Sequence, residues 1–145
     1  MYKNKRALWI FWGSISLAAG FLLYVFFRQN TYIVQFVLSY FPALRSDYAS
    51  RFPQIRHLSY YLADYLWAFS LSCGLHAIFL PGKSGTFCCT LAVSLLGIIY
   101  EILQCVRIIS GTGDITDIFL YVLAGCTVNI IYLLRRETHE NKQTD

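Results

Sequence analysis

The chain has 145 residues, of which 57% are hydrophobic and 14% charged, with a mean hydropathy of +0.49. Soluble domains carry about 25% charge, so this composition excludes an ordinary water-soluble globular domain. The formal charge of +4 sits in short flanking segments and gives no reason to invoke nucleic acid. Five cysteines without CxxC or Cys/His spacing offer no metal motif, and an odd number argues against a complete disulfide framework.

The first apolar stretch, residues 7–27, follows Lys3, Lys5 and Arg6. A cleaved leader has an apolar region of about 7–15 residues and a small-residue cleavage site. This stretch is longer and runs into Arg28-Gln29-Asn30, which predicts a retained anchor. A transmembrane helix needs roughly 20 apolar residues, and residues 58–80, 86–106 and 115–134 also approach that length. The expected fold is therefore all-α: an integral membrane bundle of about four transmembrane helices in one domain.

Between the first two spans, residues 31–41 are too few to cross a bilayer. Arg28, Thr31, Gln35 and Ser39 recur at helical spacing, which predicts an amphipathic helix lying in the interface plane; continuation of the first helix beyond the membrane is the alternative. Pro42 and Pro53 bracket an irregular loop containing Arg45, Asp47 and Arg51. Pro81-Gly82-Lys83-Ser84-Gly85 predicts a tight turn and an antiparallel hairpin. The third connection contains Ser110-Gly111-Thr112-Gly113, and residues 135–145 form a polar, frayed cytoplasmic tail. Trp9, Trp12, Tyr24, Tyr60, Tyr61 and Tyr132 fall toward span ends, where amphipathic rings favour the headgroup region. Ser14, Ala18 and Gly125 are expected at close helix contacts.

Four spans place both termini on one side. That side carries seven of the twelve Lys and Arg residues, with the densest clusters at the termini. The positive-inside rule then predicts cytoplasmic termini in a bacterial cytoplasmic membrane.

Ionisable groups inside the spans are the most informative residues, because a charge at mid-bilayer costs roughly 3 kcal/mol or more. His57, Tyr61 and Asp64 share one helix face, with Asp64 about 10 Å below His57 at 1.5 Å rise per residue. Glu101 and Gln104 lie near the end of the third span, and Asp117 and Tyr121 near the start of the fourth. All reach the same, outer half of the bilayer. Asp114 fits a helix N-cap, with Asp117 in the first turn favoured by the helix dipole. Glu101 has no such ordinary role, although a hydrogen-bonded packing residue remains open for it, and helix-to-helix bonding for Gln104. His76, near the other end, is expected to be solvated. Nothing in the sequence calls for a metal or cofactor, since HExxH, DxD, GxSxG and phosphate-loop motifs are all missing.

Glu101-Ile-Leu-Gln104, then Gly111-Thr-Gly-Asp114-Ile-Thr-Asp117 and Gly125, with His57 and Tyr61 opening the preceding span, resemble the VanZ-like family of small bacterial membrane proteins. The resemblance covers roughly residues 56–134. It implies several transmembrane helices and, for the founding type, low-level resistance to the glycopeptide teicoplanin. Glu101, Gln104, Asp117, Gly125 and His57 match recurring positions of the pattern. Gln54-Ile55-Arg56 stands where the family often has Asp-Lys, and Tyr121 where Asn is frequent.

Three functional classes remain open. The leading expectation is an outward-facing pocket lined by Glu101, Gln104, Asp117, His57, Asp64 and Tyr61, with Arg56 and Arg107 at its mouth. Those arginines would favour an anionic partner, such as a lipid headgroup, an envelope precursor or a glycopeptide-related ligand. The carboxylates would then orient a polar or cationic part of it. A membrane enzyme would instead use Glu101 or Asp117 as general acid/base on a lipid-linked substrate, with His57 assisting. A structural or assembly subunit would use the polar groups only to join helices. Oligomeric state is not legible.

Overall fold

The structure, a computed structural model, describes residues 2–29, 31–45, 51–109 and 113–141, with side chains described from residue 6 to residue 135 within that set. It is all-α among these residues. Helices α1 (Tyr2–Phe27), α3 (Pro53–Phe79), α4 (Lys83–Cys105) and α5 (Ile115–Asn141) are long, and α2 (Tyr32–Tyr40) is short. A single 3₁₀ turn, Pro42–Leu44, follows α2. Four helices are long and apolar enough to cross a membrane, over Arg6–Phe27, Pro53–Phe79, Lys83–Cys105 and Ile115–Arg135. The protein is a multi-pass membrane protein. Helix α2, at nine residues, spans about 14 Å and cannot cross.

The distribution of side chains argues for lipid as the solvent. Large apolar residues such as Ile10, Phe11, Leu22, Phe87, Leu96 and Ile130 point outward along the spans. Meanwhile Ser16, Ser72, His76, Thr86, Thr90, Ser94 and Glu101 are buried between helices. In water such a contiguous apolar exterior would drive association; in lipid it costs nothing, and the buried polar groups hold the helices together.

Helix α3 is the central element. It packs along α1 on one side and α5 on the other, and α5 packs in turn on α4. Small residues set the α1–α3 approach. Gly13 is so close to α3 that a Cβ there would lie 3.1 Å from the Cys73 Cβ, and the Ser70 hydroxyl donates to the Gly13 carbonyl at 2.9 Å. Gly20, one heptad later, faces Leu66 and Trp67. Ser14 and Ala18, expected at this contact, are exposed instead, because the packed face runs through Gly13, Ser16 and Gly20. Gly125 does lie in a contact, its Cβ position 3.1 Å from the Ser94 hydroxyl on α4.

Polar bonds cross the α3–α5 and α4–α5 interfaces. The Tyr65 hydroxyl donates to Thr127 Oγ1 at 3.0 Å, and Asn129 Nδ2 donates to Thr90 Oγ1 at 2.7 Å. Ser94 Oγ donates to the Tyr121 carbonyl at 3.2 Å.

Two local readings of the sequence are corrected. Helix α5 continues to Asn141, so the segment from residue 135 to 141 is helical rather than a frayed tail; Arg and Glu there are good helix formers. His76 is fully buried, not solvated. Its Nδ1 donates to the Ser72 carbonyl at 2.8 Å, and the ring lies 4.9 Å from that of Trp9. His76→Ala should therefore leave a cavity beside Trp9 and lower stability by about 3 kcal/mol, as aromatic truncations do. Reversible unfolding in mild detergent measures this, and an unchanged midpoint would contradict the packing role. Residues 46–50, 110–112 and 142–145, which include Asp47, most of the Gly111 connection and Lys142, lie outside the described residues.

Candidate functional site

The α2 end of the bundle is where the upper parts of all four spans converge. Pro53 at the first helical position starts α3, so His57, Tyr60, Tyr61 and Asp64 occupy its first turns. Helix α4 ends at Cys105, which sets Glu101 and Gln104 in its last turns. Asp114 opens α5, its Oδ1 accepting the Thr116 amide at 2.8 Å, as an N-cap does.

These turns enclose a cavity of about 560 Å³. His57, Tyr61, Asp64, Glu101, Gln104 and Asp117, the six residues singled out from sequence depth, all line it. Arg56 and Arg107 do not. Arg56 is one residue, about 100°, around the helix from His57. Arg107 lies past the end of α4 in a left-handed backbone conformation, φ 59°, with its side chain exposed. The cation that does line the cavity is Arg28, at the end of α1. Tyrosines hold it: Nη1 donates to the Tyr24 hydroxyl at 2.6 Å, and the guanidinium sits 4.4 Å from the Tyr60 ring centre. The sequence signal was available, since Arg28 lies one turn past Tyr24 at the same depth as His57. Its place in the stripe with Gln35 and Ser39 drew attention to α2 instead.

Glu101 and Asp117 play different parts from those their positions suggested. Glu101 is only 3% exposed and has a partner on each oxygen. Oε1 accepts the Tyr121 hydroxyl at 3.2 Å, and Oε2 accepts the Asp114 amide at 3.0 Å. It therefore ties α4 to the start of α5. In a capping box the acidic residue at the third helical position would accept the cap residue's amide. Here that residue is Asp117, and Glu101 has taken the amide. Asp117 is left with a buried Oδ1 that has no hydrogen-bond partner, and the residue lines the cavity. A buried carboxylate oxygen without a partner is costly.

Among the described residues the lining carries the carboxyl groups of Asp64, Glu101, Asp114 and Asp117 and the guanidinium of Arg28. Neither Arg56 nor Arg107, the basis for expecting an anionic partner, contributes to this lining. Among the described residues no three His, Cys, Asp or Glu side chains converge as a metal site would need. No protein-family model, curated protein or solved structure matches this chain.

Asp114, just outside the fourth span, has its carboxyl held below the usual range, first by the Thr116 amide and then by the Thr116 and Tyr61 hydroxyls. A depressed folded-state value means that the ionised cap stabilises the helix start above the ordinary value of 3.8. That contribution is lost as pH falls through the lower folded value. Amide exchange at Thr116 should accelerate over that acid window, and Asp114→Asn should keep the cap while removing the pH dependence.

Proposed function

We propose that the polar cavity binds the headgroup of a cell-envelope lipid or lipid-linked precursor, and that the α2 end faces outward from a bacterial cytoplasmic membrane. The carrying observation is that Asp117, whose Oδ1 is buried and has no hydrogen-bond partner, lines a chamber rich in carboxyl groups. A ligand amine or hydroxyl donated to that oxygen would offset its burial cost. The terminal clustering of Lys and Arg supports the orientation, and a reporter fused after α5 tests it: activity characteristic of the cytoplasm is expected.

The pattern Glu101-x-x-Gln104 with Gly111-x-x-Asp114-x-x-Asp117 supports membership of the VanZ-like family. With that membership comes an effect on teicoplanin susceptibility through the bound precursor. Extraction of the protein in native lipid, followed by mass spectrometry of what remains bound, tests the binding reading. One amphiphile class enriched over the surrounding membrane is the expected result. A bound fraction matching bulk lipid would contradict it.

A further inference from the structure

A second, apolar cavity lies beside the polar one and shares part of its wall. Tyr100 and Tyr121, which line the carboxylate chamber, also line a second space of about 450 Å³ deeper in the bundle. Its remaining walls come from α1, α3 and α4 and include Leu17, Trp67, Leu71, Gly74, Val93 and Leu96. Several of these face the lipid side: Leu71 is 49% and Leu96 60% exposed. The space therefore opens laterally, where hydrocarbon chains are the solvent. Gly74 contributes room directly, because a Cβ there would meet nothing within 4 Å.

Two neighbouring chambers of opposite character, with Tyr100 and Tyr121 common to both, match an amphiphile. The shared tyrosines suit the junction, since each has an apolar ring and a polar tip. The upper chamber, lined among the described residues by four carboxyl groups and one guanidinium, fits an amine. The lower one offers apolar side chains and a lipid-facing opening. We infer that the two cavities form one site for an amine-bearing membrane amphiphile, with the ammonium group among Asp64 and Asp117 and one hydrocarbon chain alongside Trp67, Leu71 and Leu96. This rests on the reading of the upper cavity as a headgroup site. Lateral entry delivers the chain without taking it through water, and the headgroup reaches the carboxylates from the membrane surface.

The test uses the full chain in phosphatidylcholine nanodiscs with three probes. These are hexadecylamine and hexadecanol, each with a mid-chain diazirine, and propylamine as a headgroup without a chain. Photolabelling should place hexadecylamine adducts on the α3 and α4 segments around Leu71 and Leu96, about tenfold above hexadecanol. Gly74→Leu, which fills the lower cavity, should remove that labelling while leaving propylamine contacts, read by saturation-transfer NMR, unchanged. Leu96→Trp, at a lipid-exposed position with little packing to lose, provides a second block should Gly74→Leu misfold. Propylamine binding that depends on Asp117, combined with equal labelling by alcohol and amine or no effect of either block, would overturn the amphiphile site and leave the headgroup reading standing. Failure of both amines to bind would overturn both.

Discussion

Glu101→Ala is expected to destabilise the bundle by about 2 kcal/mol, because it leaves the Tyr121 hydroxyl without its buried acceptor and removes the bond that ties α4 to the Asp114 amide. The same substitution should also weaken ligand binding, although both Glu101 oxygens are occupied by protein partners. With Glu101 gone, the Asp114 amide becomes available to Asp117, and the first turn of α5 can close as an ordinary capping box. That turn would draw the free carboxylate away from the cavity. Glu101→Gln should behave differently. Its carbonyl can accept the Asp114 amide while its NH₂ group donates to the Tyr121 oxygen, so the fold and much of the binding survive. Unfolding in detergent together with hexadecylamine affinity separates the two variants. Equal, complete loss of binding with an intact fold in Glu101→Gln would mean that the Glu101 charge itself meets the ligand, contradicting a purely joining role for Glu101.

Gly113→Val should have a comparable effect by a steric route. A Cβ at Gly113 would press on Cys105 Sγ and lie 2.8 Å from the Glu101 carbonyl oxygen and 3.0 Å from the Cys105 amide. Two of those atoms belong to the backbone of α4 and cannot rotate aside, so the residues before α5 must move away. Such overpacking costs about 1–3 kcal/mol, and displacement of Asp114 would break its bond to Glu101 as well. Tyr121 should then lose its fixed position between the two cavities. Wild-type stability and amine binding in Gly113→Val would show that this close approach is dispensable.

The spans were legible because apolar runs of membrane length have few other uses. The convergence of His57, Asp64, Glu101 and Asp117 was legible for a related reason: helical rise fixes depth once the topology is known, and residues three or four apart share a face. The division of labour between the carboxylates was hidden. Sequence position made Glu101 the anomaly and gave Asp117 an ordinary capping role. The reversal depends on one bond between residues 101 and 114, which no helical spacing predicts. Arg56 and Arg107 were placed at the mouth from proximity in sequence alone. Helix phase turns the first away from the cavity, and a left-handed residue past the end of α4 leaves the second exposed. His76 was misjudged because depth near a helix end does not reveal that Trp9 covers the ring.

In the proposed site Asp117 is the carboxylate that meets the guest. Its most direct test is the affinity of Asp117→Asn for hexadecylamine in phosphatidylcholine nanodiscs, beside wild type and with unfolding midpoints matched. Loss of a charged partner should weaken binding about tenfold or more while Asp114 continues to cap α5. Unaltered affinity would contradict the central claim and leave the cavity's polar groups with only the work of joining helices.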